Sequence, residues 1–227
     1  MAAPLGTVAK VPATERAYRE LKRRILDNDL PAGAQVLEQE LALSLGMSRT
    51  PVREATIRLA EEGLVAIVPR HGLRVLPISA DDMREIYELL AELEPAAARM
   101  AAERGLSADE LADLDAAVAD MDRALAADDL DAWAGADERF HKSLVEHAAN
   151  RRLRAVVETC WDQAHRARMS TLKLRPRPTT SNDDHRAVVA AIRARDAATA
   201  ERVHRAHRRV NGRMLADLLE RLGLVRL

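Results

Sequence analysis

Cysteine is nearly absent from this 227-residue chain: Cys160 stands alone. That excludes an intrachain disulfide framework and suits a reducing cytoplasm. Aromatic residues are equally scarce, at Tyr18, Tyr87, Trp133, Phe140 and Trp161, so the 48% hydrophobic content rests on aliphatic side chains. No apolar run approaches the roughly 20 residues that a membrane-spanning helix needs. Met1–Thr14 lacks a charged segment followed by a long apolar one, so it does not read as a secretory signal. An excess of charge is missing too, because 35 Lys and Arg face 36 Asp and Glu for a net charge of −1. A nucleic-acid binder working by bulk positive charge is therefore excluded, although the total conceals the arrangement. Residues 1–78 carry a balance of +2 and the remainder one of −3.

What is present falls into two parts. Met1–Thr14, rich in small residues and proline, reads as a flexible tail. Residues 15–78 then hold three short helical patterns: one through Tyr18, Leu21 and Ile25, one through Leu37, Leu41 and Leu43, and one from Ser48 to about Glu62. Pro31-Ala32-Gly33, Gly46 and Gly63 separate and close them. Val65–Val68 and Leu73–Leu76 flank Pro69-Arg70-His71-Gly72, which signals a β-hairpin with Gly72 free to take a positive φ. Residues 79–227 show no strand alternation. They predict six helices: one from the Ser79 cap, then about 107–127, 129–148, 151–173, 183–195 and 196–222. The expected fold class is mainly α, with an N-terminal winged helix-turn-helix and a C-terminal all-α helical bundle.

Two constellations carry chemistry. On the helix after Ser48, Val52, Ala55 and Leu59 share one face, while Arg49 and Arg53 stand one turn apart on another with Thr50 and Ile57 near them. Guanidiniums there can contact guanine or phosphate, and an aliphatic can touch a thymine methyl. An ordinary solvated basic face would look the same. A helix-turn-helix followed at once by a hairpin is the winged-helix arrangement, with Arg70 and His71 at the wing tip. The second constellation is Asp137 and His141 at i and i+4, His185 at the start of a later helix, and His207 on the last one. Three helices can bring these to one interior point. One Asp and three His suit a divalent transition metal, zinc first, with manganese or nickel also fitting. Buried histidines that merely hydrogen-bond their neighbours are the competing reading, and His204 stands one turn before His207 as a rival ligand.

The run from Leu41 to Ala55 through Ser48-Arg49-Thr50-Pro51-Val52-Arg53-Glu54, with Leu59–Val65 and Arg70-His71-Gly72-Leu73-Arg74-Val75, resembles the GntR family of bacterial transcription regulators. The resemblance implies operator contacts from Arg49, Thr50 and Arg53 and from His71 and Gly72 in the wing. Gln39 departs from it where relatives often carry arginine. Ile86–Pro95, Asp137–His141 with Asn150, and Asp184–Asp196 resemble the FCD ligand domain of the FadR-type branch. That resemblance implies a metal on Asp137, His141, His185 and His207 at the floor of an effector cavity. Leu90 stands where the branch often has an arginine that pairs with a ligand carboxylate. Asn211, Arg139 and Arg168 are the candidates to compensate, so Leu90, Arg139 and Asn211 are the expected pocket residues. The function implied is a regulator rather than an enzyme, acting as a homodimer on a palindromic DNA operator and answering to a small carboxylate effector. A metalloenzyme using the Asp/His3 site and a DNA-binding protein with a purely structural metal are the alternatives.

Overall fold

The computed structural model describes residues 11–223. The tail expected over Met1–Thr14 thus lies mostly outside the described residues, and the first helix begins at Ala13. The chain divides into two compact units, Met1–Pro77 and Ile78–Leu227.

In the first unit α1 (Ala13–Leu26), β1 (Gln35–Val36), α2 (Glu38–Leu45), α3 (Arg49–Glu61), β2 (Val65–Val68) and β3 (Gly72–Val75) follow in order. Their apolar faces meet in one core, with Ala17, Leu21, Val52, Ala55, Leu59 and Leu73 sealed from solvent. The expected hairpin forms as β2 and β3, with Val65 opposite Val75 and Val68 opposite Gly72. The sheet has a third strand, which the hairpin reading lacked: β1 pairs antiparallel with the free side of β3, Gln35 opposite Arg74. Gly72 is fixed by two constraints, because its φ is +79° and a Cβ there would lie 2.2 Å from the Val36 carbonyl oxygen. Ser48 occupies the N-cap position of α3 without a side-chain capping bond.

The second unit consists of α4 (Ala80–Arg104), α5 (Ala108–Ala126), α6 (Leu130–His147), α7 (Arg151–Thr171), a 3-10 turn over Leu172–Leu174, α8 (Thr179–Arg193) and α9 (Ala197–Arg221). Caps mark the starts: the Ser79 hydroxyl accepts from Asp82 N at 3.0 Å, and Ser107 and Glu110 form a reciprocal capping box. Helix α8 starts before the expected residue 183, directly after Pro178. The buried stripe of α4 runs through Met83, Tyr87, Leu90, Glu94, Ala97 and Ala101, and Leu89, off that stripe, is 51% exposed. Gly212 permits the close approach of α9 to α4, since a Cβ there would meet Tyr87 Cβ at 2.7 Å. That contact brings the His204–Arg208 stretch of α9 toward Glu94.

Candidate metal centre and nucleic-acid interface

On α3 the two faces separate as the spacing implies. Val52, Ala55 and Leu59 are fully buried, which leaves Arg49, Thr50, Arg53 and Ile57 on the exposed side. Arg49 lies 3.6 Å from Glu38 of α2 at its nearest and stays largely solvated. The wing tip exposes Arg70 and His71, and Arg70 itself takes a positive φ of 66°. The turn is closed by His71 N, which donates to Val68 O at 2.9 Å. Cationic and hydrogen-bonding groups at a helix N-terminus and an adjacent hairpin tip are chemically suited to phosphates and base edges.

In the helical unit α6, α8 and α9 converge on one buried cluster. Nitrogens of His141, His185 and His207 lie within 4.8 Å of one another, and the three rings are at most 3% exposed. Asp137 borders two of them: its Oδ1 is 3.6 Å from His141 Nε2 and 3.7 Å from His185 Nε2. Its other oxygen accepts from Arg168 of α7 at 2.7 Å. Trp133, two turns of α6 away from His141, donates to Asn182 Oδ1 at 2.8 Å and ties α6 to α8 one turn ahead of His185. Phe140 packs on the His185 ring, with centroids 4.2 Å apart.

Electrostatics keep Asp137 charged and favour neutral rings at His185 and His207. Burial raises the Asp137 carboxyl, but Arg168 and His141 outweigh it and hold the group well below its usual value. Burial, with His207 close by, pushes His185 well below its ordinary pKa. Burial also lowers His207, opposed by its bond to Asp184. Neutral imidazoles beside an ionised carboxylate are the protonation states a metal requires. The donor set passes a further test: both nitrogens of His185 are buried without any hydrogen-bond partner. A buried polar group is normally satisfied, so the orphaned Nε2 facing Asp137 Oδ1 fits a cation held between them.

The expected pocket residues fare differently. Leu90 is fully buried in the apolar cluster with Tyr87 and Leu215. Asn211 is half-buried against His207 and donates to its carbonyl at 3.0 Å. Arg139 is exposed and pairs with Asp120, away from the cluster, because it follows Asp137 by two residues and so lies across the helix. A groove of about 400 Å³ between α4 and α9 is lined by Tyr87, Ala91, Arg209 and Gly212, and none of the three clustered histidines reaches it.

Each of the two units matches a known family of domains. The family model for bacterial regulatory proteins of the gntR family matches residues 13–75, and that for the FCD domain matches residues 85–210. This chain belongs to the GntR family. GntR-family proteins of this kind are transcription regulators, not enzymes, with a DNA-binding helix-turn-helix and an FCD effector-binding domain. An HTH-type transcriptional regulator of Agrobacterium vitis is 43% identical over 145 residues, covering 63% of this chain and 85% of the relative. Another, from Streptomyces ambofaciens, is 31% identical and spans 85% of this chain and 80% of the relative. A Paenarthrobacter nicotinovorans protein described as a probable D-xylose utilization operon transcriptional repressor is 32% identical, with 78% and 77% covered. The solved structure of E. coli McbR/YncC shares the fold, with a TM-score of 0.78 at 23% identity over 92% of this chain and 99% of that one.

Sequence reasoning on this GntR-family chain overlooked Glu94. It lies fully buried in α4, accepting from Arg208 Nε at 2.7 Å, Trp161 Nε1 at 2.9 Å and His204 Nε2 at 3.0 Å. Its signal was its register: a carboxylate four residues after Leu90 and three before Ala97, on the helix's apolar stripe, needs a buried partner. His204, the rival ligand, is occupied by this carboxylate, and burial lowers its pKa to about 3.

Proposed function

We propose that this GntR-family protein is a sequence-specific repressor whose operator affinity is set by a small carboxylate bound at a metal-containing site in its helical domain. The partition is a DNA-binding domain over residues 15–78 and a metal-, effector- and dimer-forming domain over 79–227. Arg49, Thr50 and Arg53 contact the operator from α3, and His71 with Gly72 contacts it from the wing. Two copies paired through the helical domains present two such units to a palindromic site, as two-fold symmetry requires. Repression is supported by the similar Paenarthrobacter protein, which is described as a repressor.

The observation that carries the metal reading is the set of three buried histidines beside the ionised Asp137, with both nitrogens of His185 lacking any hydrogen-bond partner. Asp137, His141, His185 and His207 would hold a divalent transition cation, zinc first. A cation bound there supplies a Lewis-acid anchor for an anionic ligand. The protein's own contribution to effector binding is charge and shape. Arg175 donates to the Arg168 carbonyl at 3.1 Å, and its buried Nε has no partner. A buried Nε–H without an acceptor favours a carboxylate partner where Leu90 offers no charge. Asn211 adds an amide beside His207.

An effector controls the operator only if it binds two states of the protein unequally. Its occupancy is read out through the connection at residues 77–79. The deep burial of the histidine rings supports a purely structural ion as the second reading. Both are tested by titrating small carboxylic acids into the zinc-loaded protein bound to an operator selected from random duplexes. A change in affinity supports effector control, and a response to none of them supports the structural ion.

A further inference from the structure

Glu94 adjoins a second set of ligand-type atoms, because Glu94, His141 and His204 also lie within 4.8 Å of one another. That set would either hold a second cation or serve the first. The donors around Glu94 decide between them. Oε2 receives Arg208 Nε at 2.7 Å and His204 Nε2 at 3.0 Å, Oε1 receives Trp161 Nε1 at 2.9 Å, and Arg208 NH2 reaches both oxygens. His141 Nδ1 approaches Oε2 to 3.1 Å without hydrogen-bond geometry. A carboxylate has about four acceptor sites, so these donors fill it. A second cation would also sit against the Arg208 guanidinium, in a site with no water to screen the two charges.

An ionised carboxylate only accepts hydrogen bonds, so the nitrogens facing it carry the hydrogens. His204 is therefore protonated on Nε2, and the Glu94 charge 3.1 Å from His141 Nδ1, nearer than Asp137 is to Nε2, favours the His141 proton on Nδ1. The lone pair of His141 is then on Nε2, the atom 3.6 Å from Asp137 Oδ1. The same arrangement recurs on α9, where His207 Nδ1 lies 3.2 Å from Asp184 Oδ2 and its lone pair falls on Nε2.

We propose that Glu94 and Asp184 are positioning residues of the metal centre: each fixes the tautomer of one histidine, so that His141 and His207 turn an unprotonated Nε2 toward a single cation shared with His185 and Asp137. Arg208, Trp161 and His204 hold Glu94 in place and are not ligands. This inference rests on the metal reading above.

The test uses the full chain, zinc as the probe, and two variants. Glu94→Leu/Arg208→Met removes the buried pair together, which leaves no uncompensated charge. Asp184→Asn changes a partly exposed site and protects the test against a misfolded double variant. Zinc competition against a chelator is expected to show one ion per wild-type chain and affinity about 10–100-fold weaker in each variant. In metal-free protein, the ring nitrogens of His141 are expected to report the Nδ1–H form in the wild type and a tautomer mixture in the double variant. A purely structural role for Glu94 would change the melting temperature without moving that signature. Two zinc ions per chain, or unchanged affinity and tautomer in a folded double variant, would overturn the proposal while leaving the metal reading intact. A wild-type chain that takes up no zinc would overturn both.

Discussion

Replacing Arg208 with methionine removes the strongest partner of a carboxylate that has no access to solvent. Glu94 is fully buried, and Arg208 contributes the 2.7 Å Nε bond and the NH2 contacts to both of its oxygens. Trp161 and His204 remain, but neither carries a compensating charge, since burial keeps His204 neutral with a pKa of about 3. Breaking a buried ion pair from one side costs about 3–5 kcal/mol. For a unit of this size, roughly 2–4 °C is lost per kcal/mol, so the melting temperature of the helical domain should fall by about 6–20 °C. Glu94→Leu added to Arg208→Met should recover most of that loss, because the pair is then replaced by apolar groups of similar volume. The gap between wild type and single variant should also narrow from pH 7 to pH 5. The variant can relieve itself by protonating Glu94, whereas the wild type holds that carboxyl well below 4.5. Calorimetric melts of metal-free protein provide the assay. A single variant melting within a degree of wild type, or a double variant no better than the single, would show that the Glu94–Arg208 pair does not hold the helical domain together.

Other perturbations have equally definite outcomes. Gly72→Ala should destabilise the DNA-binding unit and weaken operator binding without altering zinc uptake, because its φ is +79° and the new Cβ would collide with the Val36 carbonyl. Zinc titration beside an operator-binding curve checks this. Arg53→Ala should weaken operator binding and, if the contact is to phosphate, reduce the slope of log affinity against log salt by about 1; an unchanged affinity would remove Arg53 from the interface. Acid should destabilise the metal-free protein. His204 has a folded pKa of about 3, below the usual 6.5, so the unfolded chain binds the extra proton as pH falls below 6.5. Its contribution is complete above 6.5 and declines toward pH 3 by at most about 1.4 kcal/mol per pH unit. Urea unfolding at pH 7 and pH 5 measures the sign, and greater stability at pH 5 would contradict it.

Local period made much of the architecture legible. The apolar faces of α1 and α3, the β2–β3 hairpin around Gly72 and the Ser107 capping box all follow from spacings of a few residues. Strand β1 did not, because two residues have no period and Gln35-Val36 become a strand only by pairing with β3. Asp137 and His141 could be read together because one helix face carries both. Glu94 could not be paired, since its partner Arg208 lies 114 residues away and only the α4–α9 contact joins them. The choice between His204 and His207 was likewise closed to spacing. Both are buried on the same helix, and what separates them is which carboxylate each meets: Glu94 for His204 and Asp184 for His207. Among the arginines, Arg139 and Arg168 looked equivalent in composition, yet only Arg168 reaches Asp137.

We propose that a ligand at the histidine cluster governs DNA affinity. The most direct test is operator binding by zinc-loaded wild type and His185→Ala across a panel of small carboxylic acids. His185 belongs to the helical unit, Ile78–Leu227, and not to the unit that carries α3 and the wing, so the variant should still bind the operator. At least one acid is expected to shift the wild-type affinity several-fold while leaving His185→Ala unmoved. An equal response in both proteins would contradict it.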